Sequence, residues 1–457
     1  MKPMKKRWAD EYKDLNLGDK RLDERLYKIM DNIWESPNKT LYLACGTRGE
    51  AKAAYRFLSN GKVEKNKIKQ SIKASTLSKI EQNGAKVILS IQDTTSISYG
   101  ERKKISDMGY YCDSEQRGMN VHTAIAVTTD GLPLGLLHQE YHTREKRKEE
   151  STTKEQRQFR KIEEKESYQW LNSMKEARAG ISNSLKLIHV CDREGDIYEM
   201  FDLAKKEGEV FLVRVLHNRL TTDNKKVMSD LEREDCKGTL IVRMARNVKE
   251  SIPARDVLMN FTYKEYEIKC PVRRREAHIS RSLKVTGIYI HEAGKPNKKA
   301  ITWFLLTNDT IRNDDEAISM IKNYTQRWKV ERFHYILKSG CNIEYKQSRT
   351  YEKLCFLTLL YSVIAMMILH LTYAGRLCPN AACDSFFEED EWKVLYCIAN
   401  RTKRPPKQPY SIHQAIGFVA ALGGFVPAPS DSAPGAKVIW LGLQKLWFVV
   451  EFATFLS

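Results

Sequence analysis

The chain has 457 residues, 42% of them hydrophobic, which is too many for one core and ample for two to four domains. With 76 Lys and Arg against 58 Asp and Glu it carries a formal net charge of +18 and a sequence pI near 9.3, which points to a polyanionic partner, nucleic acid before an acidic membrane. Its ten cysteines include no Cys-x-x-Cys pair, and the closest two, Cys378 and Cys383, lack a second pair or a His pair nearby, which excludes a zinc ribbon and a disulfide framework and leaves free thiols in a reducing cytoplasm.

The N-terminus, Met1 to Asp10, is basic but has no apolar stretch behind it and is not expected to be a signal peptide. Residues 1 to about 72 read as short helices with caps. Asn16 and Asp19 lead into Lys20 to Trp34, and Thr47 leads into Glu50 to Leu58. Lys2 to Lys69 holds seventeen cations against ten carboxylates, so this segment is a DNA-reading candidate. Lys20, Arg21, Arg25 and Lys28 recur at helical spacing and suit a groove, although a solvated, salt-bridged face has the same pattern.

Ala85 to Gln92 is an apolar run of strand length that ends in Asp93. Val121 to Thr128 and Leu134 to Tyr141, joined by Thr129-Asp130-Gly131, predict a hairpin. Thr143 to Ser167 is dense in both charge signs and reads as a loop or solvated helix start, and Tyr168 to Ala179 is an amphipathic helix. Leu185 to Val190 is another apolar strand, running into Cys191-Asp192-Arg193-Glu194. From Val210 to about Leu306 the pattern is β-rich, with strands at Val210 to Val215, Gly238 to Met244, Tyr263 to Val272, Leu283 to Tyr289 and Thr302 to Thr307, and a cationic turn at Gly294 to Lys299.

Helix resumes near Asn313, and no Gly or Pro interrupts Ile311 to Ser339. A continuous helix would put Tyr324, Arg327, Glu331 and Lys338 on one face. Arg and Lys suit phosphate oxygens and Glu is a hard ligand for Mg²⁺, so this face is a candidate grip on a phosphodiester and a metal; a face laced with i,i+4 ion pairs is the plainer alternative. Leu354 to Gly375 contains no charged residue and is long enough to span a membrane. It contains Thr358, Ser362, His370 and Thr372 and stands in a chain of mean hydropathy −0.51, so a buried core helix is expected. Helices follow at Phe386 to Asn400, Ser411 to Leu422 and Val438 to Phe455, with a basic Pro-containing linker at Arg401 to Gln408.

Asp93, Asp192 and Glu331 thus end or decorate regular elements in the order strand, meander, strand, insertion, helix. Acids so placed can converge on two divalent ions for phosphoryl transfer. Asp at a strand end is also a common cap or turn former.

Tyr324, Arg327, Glu331 and Lys338 have the spacing Tyr-(2)-Arg-(3)-Glu-(6)-Lys. With Ile91 to Ser96, Val190 to Glu194, Trp303 to Thr307, Ala54 to Phe57 and Ala421 to Phe425, the chain resembles bacterial insertion-sequence transposases of the Asp-Asp-Glu class that carry this signature, a group that includes the transposase of the kanamycin-resistance composite transposon. Tyr198 and Tyr335 stand where that relative has His and Lys. The resemblance implies an α/β architecture: an N-terminal helical DNA-binding domain (1–72), a ribonuclease-H-like catalytic core (73–372) with a β-rich insertion at about 210–306, and a C-terminal helical dimerisation domain (373–457).

It further implies Asp93, Asp192 and Glu331 as catalytic metal ligands for two Mg²⁺ ions, with Mn²⁺ able to substitute. DNA contacts are implied at Arg25, Arg56, Arg214, Trp303, Tyr324, Arg327, Trp328 and Lys338. The implied activity is cut-and-paste transposition through a DNA hairpin by a homodimer that pairs two transposon ends, in the bacterial cytoplasm and on the nucleoid, with no membrane role. A catalytically inactive end-binding inhibitor and a general structure-specific nuclease are the alternatives.

Overall fold

The structure is a computed structural model that describes residues 7–100, 105, 107–112, 116–145, 160–244, 255–272, 278–294, 300–427 and 433–456. The first six residues, most of the charged stretch (146–159) and the tip of the cationic turn (295–299) lie outside the described residues. In chain order the elements are α1 (Lys20–Glu35), α2 (Leu41–Ala44), α3 (Arg48–Phe57), α4 (Lys65–Asn83), β1 (Val87–Ser98), β2 (Gly118–Thr128), β3 (Pro133–His142), α5 (Tyr168–Arg178), β4 (Lys186–Cys191), α6 (Tyr198–Glu207), β5 (Val210–Arg214), α7 (Val227–Leu231) and β6 (Gly238–Met244). There follow β7 (Arg255–Lys269), β8 (Ser282–Glu292), β9 (Thr302–Thr307), α8 (Asp314–Thr325), α9 (Trp328–Tyr335), α10 (Tyr351–Leu377), α11 (Glu389–Ala399), α12 (Ile412–Leu422) and α13 (Ala436–Leu456).

The helix starts obey local chemistry. Asp19, Thr47, Asn313 and Ser411 each accept a backbone N–H of the first turn from α1, α3, α8 and α12. Two expected domain boundaries do not fall in linkers, because residue 72 lies inside α4 and residue 372 inside α10, and a helix is one cooperative unit. The chain instead divides into two compact, discontinuous units, one of 1–85, 94–148 and 329–457, the other of 86–93 and 149–328.

In the first unit the hairpin β2–β3 packs on α4, where Thr76 Oγ1 donates to Leu136 O at 2.9 Å. A Cβ on Gly135 would stand 2.2 Å from that hydroxyl oxygen, so only glycine permits the approach. α10 is a core helix. Of its most apolar window 89% is buried, and Thr358, Ser362 and Thr372 donate to the carbonyls of Leu354, Thr358 and Ile368 at 2.7–2.8 Å, so its hydroxyls need no water. N- and C-terminal segments share this core. Trp34 of α1 lies 4.4 Å from Trp447 of α13 between ring centroids, and the buried Lys346 donates to the carbonyls of Pro37, at 2.7 Å, and Lys39, with its ammonium over the Tyr361 ring.

In the second unit the strands run β1-β4-β5-β9-β8-β7-β6, with β1, β4 and β5 mutually parallel and the rest antiparallel. α5 and α6 cover one face through Trp170, Met174 and Phe201, the last stacked on Phe211 of β5 at 4.3 Å.

The helix expected from Ile311 to Ser339 is interrupted. α8 closes at Thr325 with i→i−3 bonds, from Gln326 N–H to Asn323 O and from Arg327 N–H to Tyr324 O. After α9, residues Ile336–Gly340 form a π turn sealed by Cys341 N–H to Ile336 O at 2.9 Å. Tyr324, Arg327, Glu331 and Lys338 therefore sit on successive segments rather than on one helix face. At the π turn a Cβ on Gly340 would stand 3.0 Å from the Trp440 ring, so α13 passes directly against it.

Candidate active site

Strand register assembles the site. Val87 to Ile91 of β1 pair in parallel with Lys186 to Val190 of β4, and the same offset carries Asp93 opposite Asp192. Val210 to Val213 of β5 pair with Ile188 to Cys191, and that offset carries Arg214 opposite Asp192. Parallel strands bring equivalent ends together, so three strands deliver two carboxylates and a guanidinium side by side. One expectation needs correcting: β1 continues to Ser98, so Asp93 lies within the strand, two residues past its last pair with β4, rather than at its end.

Asp192 does cap, as the plainer reading of a strand-end Asp holds. It accepts Glu194 N–H at 2.8 Å and starts a 3-10 turn over Arg193–Gly195. A Cβ on Gly195 would meet Cys191 Cβ at 2.5 Å, so glycine is needed for so tight a return. Burial pushes the Asp192 carboxyl above its ordinary range and the Asp93 charge adds to it, against the Glu194 N–H, Arg327 and Arg214. Behind the acids, the Gln92 amide donates to His189 Nδ1 at 3.3 Å while His189 Nε2 donates to Glu209. Burial lowers the His189 pKa, which favours the neutral ring.

The antiparallel β9 returns beside β5 and brings Thr302 O within 3.3 Å of Arg214 Nη2. Trp303 is 6% exposed, its ring edge-on to Tyr324 at 5.6 Å. A base can stack on that ring only after it or Tyr324 moves. Burial raises the Tyr324 hydroxyl pKa, Asp192 adds to this, and Arg327 and Arg214 oppose it. Burial lowers the Arg214 pKa from its ordinary value, the neighbouring Arg193 and Arg327 act in the same direction, and Tyr324 opposes them. Arg327 lies 5.1 Å over the ring of Trp328, which is exposed.

One unit thus gathers Asp93, Asp192, Arg214, Trp303, Tyr324, Arg327 and Trp328. Glu331, on α9, and Lys338, in the π turn, belong to the other unit. Among the described residues no group of three or more His, Cys, Asp and Glu is placed to hold a metal ion. The two aspartates are nonetheless hard oxygen donors whose mutual repulsion a divalent cation would relieve, so their chemistry fits Mg²⁺. Arg193, exposed and one residue past Asp192, joins the cationic side without having been singled out in the sequence; its only signal was adjacency to the acid.

In the N-terminal segment the basic row is already engaged. Arg25 donates to Glu50 at 2.6 Å, Lys28 lies 3.5 Å from the same carboxylate, Arg21 pairs with Asp19 and Lys20 with Glu24. A DNA contact by Arg25 would exchange its pair with Glu50 for a phosphate. Arg56 is exposed at the end of α3.

Comparison with known families gives two matches. The model for the transposase DNA-binding domain matches residues 5–63, and that for the Tn5 transposase dimerisation domain matches residues 363–457. They support a Tn5-like DNA transposase that binds DNA and dimerises. All three acids lie between the matched segments. Among solved structures, a cryo-EM structure of a piggyBac transposase synaptic complex with hairpin DNA aligns over 96% of this chain and 73% of its own, at 8% identity and a TM-score of 0.39.

Proposed function

We propose that the protein is a cut-and-paste transposase of the Asp-Asp-Glu class. It would bind the inverted ends of its element, nick them to free 3′ hydroxyls, release the element through a DNA hairpin and join the ends to target DNA. The observation that carries this reading is the strand register that sets Asp93 beside Asp192 with Arg214 as their neighbour. On this reading the core is ribonuclease-H-like, and the protein acts as a dimer on two paired ends in the cytoplasm.

Asp93 and Asp192 would hold Mg²⁺, or Mn²⁺ in its place, with Glu331 assigned as the third acid from its spacing in the sequence signature. Bound there, divalent ions would activate the attacking oxygen and stabilise the leaving one. The chain's own groups then have defined tasks. Arg214 and Arg327 offer forked donors to a phosphodiester and Tyr324 a hydroxyl to one of its oxygens. Trp328 presents an open face on which a base can stack, and Trp303 a second face once its contact with Tyr324 opens.

The test uses a plasmid carrying the repeats that flank the gene. Asp93→Asn, Asp192→Asn and Glu331→Gln should each abolish Mg²⁺-dependent nicking while gel-shift binding of the ends persists; nicking by all three variants would sink the proposal. A second reading, an inactive protein that occupies ends and poisons dimers, is favoured by one observation: the matched segments are a binding and a dimerisation domain. Binding by the wild type without any metal-dependent nicking would select it.

A further inference from the structure

Past Arg214 the chain forms a loop that is fixed at each residue yet exposes a leucine. Val215 N–H donates to Phe304 O at 2.7 Å, and Leu216 N–H and His217 N–H both donate to Asp196 Oδ2 at 2.8 Å. Asn218 accepts Met228 N–H at 2.9 Å and donates to Ser229 Oγ at 3.0 Å. Arg219 is buried, with Nε on Asp196 Oδ1 at 2.9 Å, Nη2 on Asp196 O at 2.9 Å and its guanidinium over the Phe201 ring. Leu216 is nevertheless 54% exposed, and His217 beside it is exposed too. Val213 and Val215 are buried while Arg214 is half-buried and Leu216 exposed, the alternation of an extended segment that sets residues 214 and 216 on one side.

A loop held by its amides at 215 to 217 and by the side chains of Asn218 and Arg219 has little freedom left to lose on binding, so an apolar tip held this way is pre-organised for contact. The partner it suits is duplex DNA, because Arg193, Arg214 and Arg327 crowd the same end of the sheet and the chain as a whole is strongly basic. Leucine offers no hydrogen bond, and the apolar group that a base pair shows in the major groove is the thymine 5-methyl. Resting on the reading of the protein as an end-binding transposase, we propose that Leu216 is a specificity-determining residue that reads a thymine methyl group in the transposon end, beside phosphate contacts made by Arg214.

The experiment removes the methyl group from the DNA. Full-length wild type selects its site from duplexes with a randomised tract in EDTA, and each thymine of that site is then replaced in turn by uracil. Wild type should bind about fourfold more weakly on losing the contacted methyl, the worth of one buried methyl-sized group. Leu216→Ala should bind the thymine duplex correspondingly less well, bind both duplexes alike, and keep the wild-type melting temperature and salt dependence. Arg214→Ala should instead weaken all duplexes and flatten the salt dependence. Indifference of the wild type to every replacement, or an unchanged thymine-to-uracil ratio in Leu216→Ala, would overturn the assignment while leaving end binding intact. Failure of the wild type to select any duplex would overturn the transposase reading as well.

Discussion

Replacing Asp196 by Ala tests the frame on which the loop and the site depend. The Asp196 carboxylate has no exposed surface, takes two backbone N–H groups at 2.8 Å, and neutralises Arg219, whose side chain is 7% exposed. Removing one partner of a buried pair leaves an uncompensated charge, a cost of about 3 to 5 kcal/mol. The freed amides of Leu216 and His217 add little, because their loop is open to water at its tip. A net loss near 4 kcal/mol lowers the melting temperature of a unit this size by roughly 10 °C. Hydrogen exchange gives the local reading: the amides of Leu216 and His217 should lose protection in Asp196→Ala while Leu212 and Val213, paired within the sheet, keep theirs. Asp196→Ala with Arg219→Met should recover most of the loss, since removing both charges removes the mismatch. A single variant that melts within a degree of wild type, or a double variant no better than the single one, would refute the argument that this pair holds the loop.

Three further outcomes are expected. Trp303→Leu, which removes the ring but keeps an apolar side chain, should keep first-strand nicking but slow hairpin formation by one to two orders of magnitude, as expected for about 1 to 3 kcal/mol of lost stacking, whereas Trp303→Ala should also lose about 3 to 5 kcal/mol of stability; equal slowing of both steps in Trp303→Leu returns the ring to a packing role. Burial holds Lys346 down to about 7 from an ordinary 10.5, so between those values the unfolded chain binds more protons than the folded one and stability rises with pH, by up to about 1.4 kcal/mol per unit, and falls as pH drops to about 7. Lys346→Met should flatten that slope in unfolding midpoints measured from pH 7 to 10, and parallel curves for variant and wild type would refute it. Phe448 and Phe452 of α13 are exposed, and Phe448→Glu with Phe452→Glu should leave single-end binding intact while removing paired-end complexes on a native gel; pairing that survives would place the dimer contact elsewhere.

What the sequence reveals depends on how local the cause is. Asp19, Thr47, Asn313 and Ser411 announce their helices because a side chain three residues or fewer from the N–H it accepts needs nothing else, and Gly238–Met244 and Thr302–Thr307 announce strands by alternation or an apolar run. α4 gives no such notice. It starts after Glu64, which makes no side-chain cap, and carries Lys or polar residues between its isoleucines. The break at Thr325 and the π turn at Ile336–Gly340 carry no Gly or Pro inside the signature to announce them, and the π turn's neighbour, Trp440, lies a hundred residues on.

The site divides along the same line. Each acid could be suspected from its own neighbours, but Asp93 opposite Asp192 and Arg214 opposite Asp192 are register statements, and parallel register joins strands far apart in the chain. Leu216 is the extreme case. The sequence marks a strand at Val210 to Val215 and gives no sign of what Leu216 does. The strand ends at Arg214, and Asp196, twenty residues before Leu216, takes the Leu216 and His217 N–H groups that a continuing ladder would need while it pairs with Arg219. A buried carboxylate placed four residues after Asp192 thereby decides which side chain stands exposed beside the arginines.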